Sequence, residues 1–176
     1  MARIFAISNQ KGGVGKTTTT VNLAASLAAT KRRILLVDLD PQGNATMGCG
    51  IEKNERELTL YELLLQKSSV EQVVCYSESG KFDVLPSNGD LTAAEVELLN
   101  VPNKEFVLST ILNSIRDQYD FILIDCPPSL SMLTVNAMAA ADGVIIPIQC
   151  EYYALEGLSA LMNTIARVAD SINPNI

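Results

Sequence analysis

The sequence contains no histidine, so any proton transfer it carries out falls to carboxylates, lysines or water. It has no apolar run long enough to cross a bilayer; the longest, Ala137 to Ile148, is broken by Asp142 and Pro147. The first apolar stretch is very short and meets Lys11-Gly12-Gly13, so no signal peptide is expected. Cys49, Cys75, Cys126 and Cys150 lack the paired spacing of metal ligands and read as reduced thiols of a cytoplasmic protein. Positive charge is scarce too. Thirteen Lys and Arg against 20 Asp and Glu give a net charge of −7 and no basic footprint for nucleic acid. The one basic cluster, Lys31-Arg32-Arg33, follows a helical pattern and is expected to complement that helix's C-terminus. No repeat or low-complexity linker divides the 176 residues, which are expected to form a single domain, 1–176, with a sizeable core.

What is present is concentrated between Gln10 and Thr18. A short β-branched and apolar run, Arg3 to Ser8, precedes it, and a helical pattern, Thr17 to Ala29, follows. A glycine-rich turn between strand and helix, closed by Gly15-Lys16-Thr17, is the pattern of a phosphate-binding loop. Successive backbone N–H groups converge on an anion there, and the helix N-terminus adds its dipole. Lys16 is expected to reach the β- and γ-phosphates, and the Thr17 hydroxyl to coordinate Mg²⁺. The general pattern calls for glycine where Gln10 stands. In its place the loop has a second lysine, Lys11, and the pair Gly12-Gly13. The competing reading is a flexible turn with two solvated lysines.

Along the rest of the chain, apolar runs alternate with helical patterns. Ile34 to Val37 and Phe121 to Ile124 are continuously apolar, as strands covered on both faces are. Phe82 to Leu85 and Gly143 to Ile148 complete the expected strands. Helices are expected over Leu58–Gln66, Ser69–Val74, Leu91–Leu99, Lys104–Arg116, Leu130–Ala140 and Ala154–Val168. The alternation predicts an α/β fold, a doubly wound, mostly parallel sheet with helices on both faces. Ligands in such folds bind beyond the carboxyl ends of the strands. Residues 9–16, 38–44 and 125–129 each follow a strand and would gather there.

Four apolar residues running into Asp125 suit an acid that supports a metal bridging phosphates, although an aspartate at a strand end can also cap a turn. Asp38 and Asp40 are two residues apart, so in extended chain they would point the same way. Asp40 is expected to position an attacking water or a Mg²⁺-bound water. Asp38 is balanced between function and turn formation beside Pro41. Lys11 could be solvated; with Lys16 already at the γ-phosphate, reaching a second molecule's nucleotide is geometrically more natural.

These residues together resemble the ParA/MinD ATPases. Lys11-Gly-Gly-Val-Gly-Lys-Thr-Thr18 is similar to their deviant phosphate loop. Val37 to Thr46, Ile124 to Ser129, Ala140 to Asp142, Pro147 to Tyr152 and Ala154 to Gly157 look like the ParA/Soj branch. The resemblance implies a partition ATPase that takes ATP and Mg²⁺ on Lys11, Gly12, Gly13, Val14, Gly15, Lys16, Thr17 and Thr18. Lys11 and Lys16 would act in catalysis, with Asp40 holding the hydrolytic water and Thr17, Asp40 and Asp125 on the metal side. It also implies an ATP-dependent homodimer with Lys11 reaching across it, stimulation by a ParB-type centromere-binding partner, and non-specific DNA binding. Family chains normally continue past Asn173-Pro174 with further strands and helices, and those are expected to be lacking here. A MinD-type membrane ATPase would need a basic amphipathic anchor, which Ala154 to Ile176 does not resemble. An iron protein of nitrogenase type would need a cysteine-held cluster, and Cys126 directly follows Asp125. A nucleotide-binding fragment without hydrolysis is the remaining alternative.

Overall fold

The computed structural model describes residues 1–150 and 154–176, with the side chains of residues 154–157 outside that description. Its strands are β1 (Arg3–Ile7), β2 (Ile34–Asp38), β3 (Cys75–Ser77), β4 (Phe82–Leu85), β5 (Phe121–Asp125) and β6 (Gly143–Ile145). They form one sheet in the order β3-β4-β2-β5-β1-β6. All pairings are parallel except β3 with β4. The helices are α1 (Lys16–Ala29), α2 (Asn44–Gly48), α3 (Leu60–Leu64), α4 (Val70–Val73), α5 (Leu91–Glu97), α6 (Val107–Ile115), α7 (Met132–Ala140) and α8 (Ala154–Ser171).

The apolar strands are buried on both faces because successive side chains point opposite ways. Leu35 and Val37 of β2, with Ile122 and Ile124 of β5, join Leu60, Leu108, Leu112 and Leu133 of the helices α3, α6 and α7. Ile34, Leu36 and Leu123 instead join Ala24 of α1 and Ala45 of α2. A one-residue slip of either strand would exchange these two sets. Since burial of each such side chain contributes about 1.5–3 kcal/mol, the packing fixes the register.

That register builds the ligand end. Asp38 and Asp125 are paired partners at the ends of β2 and β5, and Ile7 is paired with Asp125 from the other side. The connection from β1 runs through α1 to β2, on one flank of β5. That from β5 runs through α7 to β6, on the other flank of β1. The chain thus turns opposite ways from two adjacent strands, and the crevice between β1 and β5 is the switch point where such sheets bind ligands.

Several elements differ from the sequence expectation. The last strand ends at Ile145 rather than Ile148: Pro147 has no N–H to donate, and its carbonyl accepts from Asn9 Nδ2 at 2.8 Å. The helix expected over Lys104–Arg116 is α only from Val107 to Ile115, with 3₁₀ turns at Lys104–Phe106 and Arg116–Gln118. Buried Asn136 fixes its start, accepting from Leu108 N at 3.0 Å and donating to the Lys104 carbonyl at 2.8 Å. Neither α2 nor β3 was expected. Both are too short to show a period, and α2 is capped by Gly43, whose φ of 64° lies in the left-handed region. Of the segments that carried the resemblance, 151–153 and the side chains of 154–157 lie outside the described residues.

Candidate nucleotide site

The phosphate loop follows β1 and leads into α1. Gly13 and Gly15 have φ of 73° and 89°, which non-glycine residues rarely adopt. A Cβ added at Gly12, Gly13 or Gly15 would meet nothing within 4 Å, so the glycines border open space. Gly15 caps α1 with no side-chain hydrogen bond, and the first turn carries no acidic residue. The N-terminal N–H groups of this 14-residue helix therefore face the crevice with the helix dipole behind them, a ready anion site. The cavity there has a volume of about 390 Å³, lined by residues including Gly12, Gly13, Gly15, Lys16, Thr17 and Asp40. The fit to a nucleotide's phosphates with Mg²⁺ rests on this glycine cradle, one lysine and two acids.

Lys16 is buried, and its Nζ donates to the Lys11 carbonyl across the loop at 3.2 Å. Burial lowers its pKa, and the carboxylates of Asp125 and Asp40 partly offset this. Lys11 is half-buried, with its N–H donating to Asn9 Oδ1 at 3.0 Å. Val14 is buried, while Thr18 lines the cavity. Asn9 and Gln149 tie the segment after β6 to this end of the sheet. The Gln149 Nε2 donates to the Gly13 carbonyl at 3.1 Å.

Asp125 is fully buried beneath the loop. The Thr17 hydroxyl donates to its Oδ2 at 2.7 Å, and Thr20 Oγ1 lies 3.0 Å from its Oδ1. Asp38 and Asp40 do not point the same way, contrary to the extended-chain expectation. Asp38 turns inward, fully buried, and accepts from Asp40 N at 3.2 Å, Thr46 N at 2.7 Å and Thr46 Oγ1 at 2.7 Å. Asp40 lies beyond the strand end on the cavity wall, where its Oδ1 accepts from Gln42 N at 2.9 Å. Ser87, after β4, completes the support: its hydroxyl donates to the Asp40 carbonyl at 2.7 Å and its N–H to Thr46 Oγ1 at 3.0 Å. Asp40 is thus fixed through its own N–H and C=O, leaving its carboxylate at the cavity.

Sequence reasoning identified Lys16, Thr17, Asp40 and Asp125, which the fold brings together. It missed Thr20, Thr46 and Ser87. Thr20 could have been found, since residues three apart share a helix face. Ser87 could not, because its contact depends on β4 lying beside β2.

Burial pushes the Asp125 carboxyl up to about 7, aided by the charges of Asp38 and Asp40 and opposed by the two threonine hydroxyls. Burial likewise pushes Asp38 up to about 6, against the hydrogen bonds from Thr46 and Asp40. Both acids hold a proton in the folded state at pH values where the unfolded chain has lost it. Folding stability of the nucleotide-free, metal-free protein should therefore fall, by a few kcal/mol, as pH rises from about 4 to about 7. Urea midpoints across that range check this, and Asp125→Asn should flatten the slope. Stability that rises with pH through that window, unchanged by the substitution, would contradict the assignment.

The chain has clear relatives. A family model described as an AAA domain matches residues 2–176. The chain is 55% identical to the chromosome partitioning protein ParA of Myxococcus xanthus, over 100% of its own length and 62% of that protein's. It is 50% identical to the sporulation initiation inhibitor protein Soj of Bacillus subtilis, over 100% of this chain and 70% of Soj. Among solved structures, cobyrinic acid a,c-diamide synthase from Mycobacterium smegmatis with bound ATP analogue and magnesium matches with a TM-score of 0.96 at 39% identity. That match covers 99% of this chain and 71% of the other. The chain thus spans 62–70% of the length of these two curated relatives.

Proposed function

The chain belongs to the ParA/Soj family of partitioning proteins, and from that premise we propose that it binds ATP with Mg²⁺ and hydrolyses it, as a nucleotide switch in chromosome or plasmid partition. The observation that carries this reading is the meeting of Lys16, Thr17, Asp40 and Asp125 around one open glycine cradle. The loop's N–H groups and Lys16 bind the phosphates. Thr17 donates its hydroxyl proton to Asp125 and, with that acid, would hold the metal, which would supply charge neutralisation to the phosphates. Asp40, held at backbone level by Asp38 and Ser87, orients the attacking water. Phosphoryl transfer asks little more of a protein than this positioning and charge.

Lys11 in this reading acts on the nucleotide of a second copy, so that ATP drives a homodimer. The partners in this reading are that second copy, a ParB-type protein that stimulates hydrolysis and, for the full-length protein, non-specific DNA; the setting is the cytoplasm. No helix among the described residues is long and apolar enough to cross a membrane, and no observation favours the MinD-type alternative.

Light scattering with ATP and with ADP tests the switch. ATP alone should double the mass, and Lys11→Ala should bind ATP yet remain monomeric. Asp40→Ala should retain ATP binding and lose about 10²-fold or more in turnover. ATP-dependent dimerisation that persists in Lys11→Ala removes the role given to that lysine, and unchanged turnover in Asp40→Ala removes the role given to the acid.

A further inference from the structure

We propose that Thr20 is the positioning residue for Asp125, and that its hydroxyl sets how much magnesium the nucleotide site requires. The inference rests on the metal-side reading of Thr17 and Asp125. Thr20 is fully buried, one helical turn beyond Thr17 on the same face of α1. The two hydroxyls divide the carboxylate between them: Thr17 Oγ1 meets Oδ2 at 2.7 Å and Thr20 Oγ1 meets Oδ1 at 3.0 Å. Two donors on two oxygens fix the plane of the carboxylate, where one donor would leave it free to turn about χ2.

That plane matters because of what Thr17 must do. A hydroxyl coordinates a cation through a lone pair, and the direction of that lone pair is set by where its proton points. The Thr17 proton points at Asp125, so the orientation of Asp125 aims the Thr17 oxygen. Thr20 thereby acts through Asp125 and Thr17 and would not touch the metal itself. Its single proton is shared between two acceptors, Asp125 Oδ1 and the Lys16 carbonyl at 2.9 Å. The same hydroxyl therefore spans the acid and the backbone of the phosphate-binding lysine. Among the described residues, Thr20 supplies the hydrogen bond to Oδ1, so removing the hydroxyl leaves that oxygen buried without it.

Thr20→Val keeps the shape and β-branching and removes the hydroxyl. Groups that orient a metal's ligands typically cost 10- to 100-fold in metal affinity when lost. Titration of magnesium against a fluorescent ATP analogue, read as binding rather than turnover, should show the half-saturating concentration rising about tenfold in Thr20→Val. Affinity for the analogue in EDTA should stay at the parent's value, and Thr20→Ser should restore the parent's magnesium response. Thr20→Ala, with less bulk, should match Thr20→Val and substitutes for it if that variant does not fold. A parent-like magnesium titration in the hydroxyl-free variant overturns the proposal, as does a serine variant impaired as much as the valine one. A parent protein whose analogue binding ignores magnesium sinks the reading of Thr17 and Asp125 instead, which separates the two failures.

Discussion

Lys16→Ala should weaken ATP binding by about 10²- to 10³-fold, corresponding to about 3–4 kcal/mol. The magnitude follows from where the ammonium sits. Lys16 is buried beside the cradle, and burial lowers its pKa even with Asp125 and Asp40 nearby. In the nucleotide-free protein the charge is thus held at a net cost, which an anionic ligand reverses. Alanine removes the ligand's counter-charge and, with it, that cost. The stability of the empty protein should accordingly stay within about 1 kcal/mol of the parent, the loss of packing by the lysine stem offsetting the relief. Isothermal titration with ATP and urea unfolding of the same sample separate the two quantities. Binding reduced only a few-fold, or a large drop in stability with binding intact, would show that Lys16 is a structural residue. Lys11→Ala, on the same loop, should leave binding nearly unchanged, since in the proposed reading Lys11 acts on the nucleotide of a second copy.

Asp38→Ala should have the opposite profile, destabilising the fold by about 3 kcal/mol or more. The carboxylate receives three hydrogen bonds in a fully buried place, from Asp40 N, Thr46 N and Thr46 Oγ1. Truncation leaves these donors without their acceptor, each at about 1–3 kcal/mol, while relieving the cost of holding a buried acid whose carboxyl is pushed up to about 6. The net remains unfavourable because three donors outnumber the one group relieved. Thr46→Val should be similarly harmful, since its hydroxyl both donates to Asp38 and accepts from Ser87 N. Asn at position 38 keeps an acceptor oxygen but turns an NH₂ group towards a donor, so it should fall between parent and alanine. Urea denaturation reads all three variants, and a cost below about 1 kcal/mol for Asp38→Ala would refute the structural role.

These two residues also show what a sequence can and cannot reveal. Lys16 was legible because its chemistry lies in consecutive residues between a strand and a helix, where local geometry decides everything. Asp125 was legible for the same reason, at the end of an unbroken apolar run. Asp38 and Asp40 are the same residue type two positions apart, and alternation alone makes them equivalent. What distinguishes them is Thr46, on a single-turn helix too short to show a period, and Ser87, delivered by a strand far along the chain. The overall winding was legible because β2 and β5 are apolar up to their terminal aspartates, as strands covered on both faces are. The length of β6 was not, because its end depends on Asn9 taking the Pro147 carbonyl.

The strand order has a further consequence, for motion. Of the six strands, β1, β2, β4 and β5 are hydrogen-bonded on both flanks, whereas β3 and β6 are each paired on one side among the described residues. Edge strands open locally at small free-energy cost, while doubly flanked ones exchange their amides only when the whole domain opens. The phosphate loop, Asp38 and Asp125 all depend from β1, β2 and β5, three of the doubly flanked strands. Fraying of either edge leaves the acids and the lysine in register, so the spacing between them keeps time with global unfolding, a slow clock. A ligand at Gly13 and Asp40 thus meets groups carried by that frame of strands rather than by either edge.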